Sequence, residues 1–156
     1  MIKLGKLTDY AVVVMVQLAQ EGAETSRSAH QLAEKTGLPE PTVAKVLKTL
    51  LKENLVASVR GAQGGYKLAR DPEELSICDI VEAMDGKIAI VTCVDDTGEA
   101  CVSAASCPSR GKWDPVNRAI RAAMQDVTLA DMAQRPGHMQ RPALVQVRPL
   151  EAAGKN

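Results

Sequence analysis

Two short helical stretches joined by a tight glycine-containing turn, and followed at once by a glycine-tipped hairpin, constrain this chain more than any other feature. From Thr42 to Lys52 the apolar residues are Val43, Val46, Leu47, Leu50 and Leu51, the i, i+3, i+4, i+7, i+8 pattern of a helix with one buried side. Its other face carries Thr42, Lys45, Lys48, Thr49 and Lys52 and no carboxylate. Upstream, Ser28 to Thr36 reads as a second short helix, with Ser28 as N-cap and Gln31 completing a capping box. Gly37 ends it, and Pro41 pre-sets the first turn of the next. A tight turn between two short helices, the second basic on its open face, predicts a helix-turn-helix.

The hairpin sharpens this reading. Leu55 to Val59 and Tyr66 to Ala69 are strand-like, and Arg60-Gly61-Ala62-Gln63-Gly64-Gly65 between them must turn. A tip rimmed by Arg60, Lys67 and Arg70 can bring backbone and guanidinium close to a duplex groove. A lone basic amphipathic helix is ordinarily a solvated face; with turn and wing attached in order, binding to double-stranded DNA is the better reading. Thr42, Lys45 and Thr49 are then candidates for base contacts, and Lys48 and Lys52 for phosphate. Ser28, Arg60, Gly61, Gly64, Gly65 and Tyr66 complete the candidate interface.

Net charge is zero, which alone argues against a polyanion as partner, but the distribution does not. Residues 1–70 hold 10 Lys+Arg and 6 Asp+Glu, a balance of +4, and the remainder of the chain balances it at −4. Phenylalanine is absent and aromatics make up 2%, so the core must be built from Val, Leu, Ile, Ala and Met. No apolar run is long enough to span a bilayer, and Met1 to Tyr10 lacks the apolar centre of a signal peptide, so no membrane association and a cytoplasmic location are expected. In a reducing compartment the four cysteines point to metal ligands, redox groups or plain packing before stable disulfides. No nucleophile–base or carboxylate pair stands in a recognisable context, so enzyme activity is not expected.

The remaining elements follow in order. A first helix is expected from Thr8 to about Gln20, with Thr8 as N-cap and Asp9 in its first turn. After the wing and a turn at Asp71 to Glu74, Ser76 should cap a helix running to Met84 and stopped at Gly86. Its apolar side is Ile77, Ile80, Val81 and Met84; Cys78 falls off that stripe, as a small packing or surface residue. Ile88 to Val91 reads as a buried connector. Trp113 to Met124 is helical again, with Trp113, Val116, Ile120 and Ala123 on one side and Ala119 and Ala122 small enough for close approach. A winged-helix unit complete by residue 70 does not need this arm for its own core, so the arm is read as a dimerisation helix of a homodimer; folding back on its own domain is the alternative. Thr128 and Asp131 stand at capping spacing for one more short helix. Pro136, Pro142 and Pro149 then mark a disordered tail.

Between connector and arm lie Cys93, Cys101 and Cys107, separated by seven and five residues. The insert is polar and has no core pattern, so burial is no explanation for these thiols. Three soft thiolates can converge on zinc or on a cluster; a thiol redox switch, or cysteines without a role, are the alternatives. The tight Cys-x-x-Cys spacing of a zinc knuckle is absent.

Leu7-Thr8-Asp9-Tyr10, the helix-turn-helix, the run from Arg60 to Arg70 and the three later cysteines together resemble the iron–sulfur regulators of the IscR and NsrR family, over about residues 2–133. The resemblance is nearest to the branch regulating SUF iron–sulfur assembly genes. It implies a DNA-binding homodimer, a repressor whose operator affinity depends on an iron–sulfur cluster, [2Fe–2S] favoured over [4Fe–4S], held by Cys93, Cys101 and Cys107. The histidine that IscR places three residues after its third cysteine is Arg110 here, a poor ligand. In nitric-oxide-sensing relatives an aspartate of the Leu-Thr-Asp segment completes the site, and Asp9 matches it, against its plainer reading as a first-turn carboxylate. The fold expected is mainly α (α+β). A winged helix-turn-helix domain spans 1–86, a cysteine loop 87–112, a dimerisation helix with a short cap helix 113–133, and the tail 134–156. A regulator using zinc or cysteine oxidation, and a winged helix that binds a protein instead of DNA, are the competing functions.

Overall fold

The computed structural model describes residues 3–61, 64–94 and 106–134. Six α-helices and one two-stranded sheet appear in it: α1 (Lys6–Glu21), α2 (Ala29–Thr36), α3 (Glu40–Lys52), β1 (Val56–Val59), β2 (Gly65–Leu68), α4 (Ile77–Asp85), α5 (Asp114–Gln125) and α6 (Leu129–Ala133). A single 3₁₀ turn, Thr92–Val94, lies between α4 and α5. The fold is mainly α, with a winged helix-turn-helix at its centre.

The helix-turn-helix forms for the reasons legible in its residues. Ser28 Oγ accepts from Gln31 N at 3.1 Å, and Gln31 Oε1 accepts from Ser28 N at 2.9 Å, closing the capping box. Gly37 adopts the left-handed conformation, φ 70°, that ends α2. Helix α3 begins two residues before the expected Thr42, at Glu40, with Pro41 in its first turn. Val43, Val46, Leu47 and Leu50 are all fully buried, and Leu51 packs partly against the same core.

Helix α1 runs through the middle and touches α2, α3, α4 and α6. It starts at Lys6 with Gly5 at the N-cap position, so Thr8 is not the cap that its sequence context suggested. Thr8 is fully buried inside the helix and donates to Asp85 Oδ2 at 2.7 Å, joining the start of α1 to the end of α4. Of the two places expected for Cys78, packing is the one found: it is buried on the inner side of α4 with Ile80 and Val81, although off the expected stripe, while Ile77 and Met84 are only half-buried. At 100° per residue Cys78 stands at the edge of the apolar stripe beside Val81, and α5 packs against α4 with Arg121 close to the thiol. Burial pushes the Cys78 thiol up.

The short helix α6 belongs to the winged-helix core, which corrects the expectation that this core is finished before the C-terminal arm. Leu129 is fully buried in the same cluster as Met15 and Leu50. Ser76 pairs with Thr128, Ile77 N donates to Val127 O at 2.9 Å, and Leu129 N donates to Leu75 O at 2.7 Å. Ser76 and Thr128 each head a capping box, with Asp79 and Asp131. The Thr128 backbone and hydroxyl donors hold the Asp131 carboxyl below its ordinary range.

Candidate nucleic-acid interface and cysteine segment

Lys45, Lys48 and Lys52 recur at i, i+3 and i+7, so they stand on one stripe of α3 opposite its buried side. All three are exposed, and none has an ion-pair partner among the described residues. Like charges at this spacing oppose each other in an isolated helix. Thr42 and Thr49 flank them half-exposed; the Thr49 hydroxyl bonds back to Lys45 O at 3.4 Å and keeps its lone pairs for an outside donor. Ser28 uses its oxygen to cap α2, which leaves the hydroxyl hydrogen available.

Other basic residues of this half are taken up internally. Glu21, at the end of α1, accepts from Arg27 Nη2 at 2.6 Å and Nε at 3.0 Å, and also binds Lys35. The Lys35 and Arg27 cations hold its carboxyl down to about 2. Lys67, expected at the rim of the wing, instead pairs with Glu24 at 2.6 Å. The cations left outward on the helix-turn-helix and wing are therefore those of α3, with Arg60 and Arg70 exposed beside the wing; Lys3 and Lys6, at the start of the chain, are exposed as well.

The wing is an antiparallel hairpin with Val56 opposite Leu68 and Val59 opposite Gly65. It is extended on its far side by Arg27, which exchanges two backbone hydrogen bonds with Tyr66, 2.9 and 2.8 Å. This explains two glycines that sequence reasoning assigned to the groove. A Cβ on Gly65 would lie 2.4 Å from the Arg27 carbonyl, and one on Gly64 would lie 2.6 Å from Val59 O. Both are required by the chain's own backbone, whereas a Cβ on Gly61 meets nothing, although its φ of 114° favours glycine. Tyr66 packs partly against the core. Ala62 and Gln63 lie outside the described residues.

One contact of the helix-turn-helix was not anticipated. His30, the second residue of α2, places Nδ1 2.9 Å from Glu40 Oε2 at the head of α3 and Nε2 3.6 Å from Glu34 Oε1. Glu40, then Glu34, hold its imidazole above the ordinary range. The i, i+4 spacing of His30 and Glu34 is readable in the sequence, but the bridge to α3 depends on how the turn folds.

The cysteine segment leaves α4 through Ile88 to Val91, which is half-buried where a buried connector was expected. Asn117 of α5 holds this stretch, donating to Ile88 O at 2.9 Å and accepting from Ile90 N at 3.2 Å. Cys93 follows in the 3₁₀ turn, exposed, and Cys107 lies half-buried before a turn in which Arg110 N bonds its carbonyl at 3.3 Å. Both thiols are free. Cys101 and the Asp95–Glu99 insert lie outside the described residues, as does the chain beyond residue 134. Among the described residues no three His, Cys, Asp or Glu side chains converge as a metal site. Asp9 is exposed on the first turn of α1. The donor chemistry of two free thiols bracketing a third fits a soft metal or cluster, and Arg110 adds no ligand.

Helix α5 has no buried residue; Trp113, at its N-cap, is 39% exposed and Val116 43%. Arg121 ties it to α4, its Nη2 donating to Glu82 Oε2 at 3.0 Å and its Nε lying 2.9 Å from Oε1. Val81, the 88–91 connector, Trp113, Ile120 and Met124 border an open cleft of about 590 Å³. No helix among the described residues is long and apolar enough to cross a membrane.

Residues 4–135 match the family described as Rrf2, iron-dependent transcriptional regulator. An HTH-type transcriptional regulator of Mycobacterium tuberculosis is 33% identical over 131 residues, covering 84% of this chain and 81% of the relative. The structure of CymR, the global cysteine regulator of B. subtilis, superposes with a TM-score of 0.68 at 28% identity, covering 85% of this chain and 97% of that one. The structure of IscR from T. potens superposes with a TM-score of 0.62 at 34% identity, covering 84% and 85%.

Proposed function

Because the chain belongs to the Rrf2 family of transcriptional regulators, we propose that it is a homodimeric repressor of SUF iron–sulfur assembly genes, sensing through a cluster on Cys93, Cys101 and Cys107. It is a DNA-binding regulator and not an enzyme. The observation that carries the DNA face is the row of three lysines on α3 with no ion-pair partner among the described residues, a repulsive arrangement until phosphate neutralises it. Thr42, Lys45 and Thr49 face the bases in this reading, Lys48 and Lys52 the phosphates, and Arg60 and Gly61 carry the wing tip to the adjacent minor groove.

Dimerisation is assigned to α5, whose apolar side is only partly covered in the single protomer, with Val116 exposed, and whose Ala119 and Ala122 admit a second backbone. The cysteines hold the sensing group, [2Fe–2S] before [4Fe–4S], with Asp9 as the oxygen ligand that the family resemblance suggests. When bound, such a cluster supplies an oxygen- and nitric-oxide-sensitive centre. The chain's own part is mechanical: ligands at Cys93 and Cys107 tie the connector after α4 to the turn before α5. That constraint favours one placement of α5 over others, which is all that coupling to operator affinity requires.

A second reading, regulation by thiol oxidation without a cluster, is favoured by the exposed free thiol of Cys93. Anaerobic purification with visible spectra, iron and sulfide counts and operator binding decides between them. Cys93→Ala, Cys101→Ala and Cys107→Ala should each abolish visible absorbance and change operator affinity by a similar factor, while Cys78→Ala leaves the spectrum alone. Colourless parent protein whose affinity follows thiol oxidation would select the second reading. Asp9→Ala alters the spectrum or hastens cluster loss if Asp9 ligates; an unchanged spectrum leaves it a first-turn carboxylate.

A further inference from the structure

The polar face of α3 is basic except at its head, where Glu40 is the sole carboxylate between residues 40 and 52. A helix-turn-helix places the N-terminal residues of its second helix against base edges, so this carboxylate stands where sequence is read. Next to phosphate an unbalanced anion would weaken binding. His30 supplies the balance from α2, its Nδ1 2.9 Å from Glu40 Oε2. The contact takes one oxygen only; Oε1 has no partner among the described residues, and the Glu40 side chain is 53% exposed. Held from one side and open on the other, the carboxylate is oriented before any duplex arrives, which lowers the ordering cost of one more contact.

We propose that Glu40 reads a cytosine in the major groove, accepting from its N4 amino group, and that His30 is the positioning residue that holds the carboxylate for this contact. The inference rests on the DNA-binding function above. An ionised carboxylate only accepts, and of the four bases cytosine alone offers a donor there with no acceptor of its own. Guanine offers two acceptors and thymine an acceptor and a methyl group. Adenine sets an acceptor beside its donor, an arrangement suited to an amide. His30 faces Glu34 on its own helix and Glu40 on α3, and no other charged group among the described residues approaches it. Both carboxylates stabilise the cationic ring, so the clamp is complete below the ordinary imidazole range and loosens as pH rises through the raised value.

The test is selection of duplexes from a randomised pool by the full-length protein, followed by base-by-base competition at pH 6 and pH 8. The parent should favour cytosine at one position in each half-site by about tenfold. Glu40→Ala should level that position and leave the others alone, and Glu40→Gln should turn the preference toward adenine. His30→Gln should retain salt-dependent binding but lose most of the cytosine preference, and it should lack the decline in affinity that the parent shows from pH 6 to pH 8. Glu40→Ala and Glu40→Gln proteins with the parental base profile would overturn the readout. A His30→Gln protein with the parental pH dependence would overturn the positioning role. A parent that selects no duplex at all would instead remove the DNA-binding function, and this inference with it.

Discussion

Helices α3 and α5 are 13 and 12 residues long, both amphipathic, both with proline in the first turn, yet the fold treats them in opposite ways. Every apolar residue of the α3 stripe but Leu51 is fully buried, and what α3 shows to the outside is charge. Helix α5 buries nothing completely and shows Trp113 and Val116 to the outside. A helix whose apolar side is satisfied has its polar side free for a polyanion. A helix whose apolar side is unsatisfied calls for another apolar surface. The two amphipathic helices thus suit two kinds of surface, and the burial of the stripe tells them apart.

The comparison predicts unequal responses to equal truncations. Leu47→Ala should lower unfolding free energy by ~2–5 kcal/mol, since the site is fully enclosed. Val116→Ala, in dilute protein below the dimer concentration, should cost less than ~0.5 kcal/mol. Chemical denaturation of both variants measures this, and equal losses would erase the distinction. Ile120→Asp should yield protomers in sedimentation with operator affinity reduced roughly 100-fold, because two linked half-site contacts become one. A persistent dimer would place the interface elsewhere.

Smaller effects sharpen the α3 side. Lys52→Ala should weaken binding to all duplexes alike and flatten the log–log salt slope by about one unit. An unchanged slope would remove Lys52 from the phosphate contacts. The least effect concerns Glu21, whose carboxyl is held at about 2 against an ordinary value of 4.5. A depressed carboxylate contributes stability that is present above 4.5 and fades as pH falls toward 2. Glu21→Gln should therefore lose stability at pH 7 and show a flatter acid limb than the parent in a pH series of thermal melts.

What the sequence made legible was local. The capping boxes at Ser28 and Thr128, and the cap at Ser76, involve residues three apart, and their geometry needs nothing from elsewhere in the fold. The α3 stripe was equally plain, because 3.6-residue periodicity carries it. What was missed is distant along the chain. Thr8 reads as an N-cap until Asp85, 77 residues on, takes its hydroxyl. Gly65 reads as a groove contact until the Arg27 backbone crosses it. Leu129 reads as part of an arm until α6 lands beside α1. His30 and Glu40, ten residues apart, needed the turn between them to meet.

The return of α6 has a further consequence. The chain departs from the core after Asp85 and rejoins it at Val127, where Ile77 and Leu75 receive it by backbone bonds. Everything between is an insertion with both ends moored to the same body, like a handle riveted at two points. The interior of a handle can change in length and chemistry without altering how the vessel is joined, since the Thr8–Asp85 bond at one end and the backbone bonds of Val127 and Leu129 at the other lie outside it. Such a layout would let one winged-helix body accept different inserts by exchange of a single continuous stretch of gene.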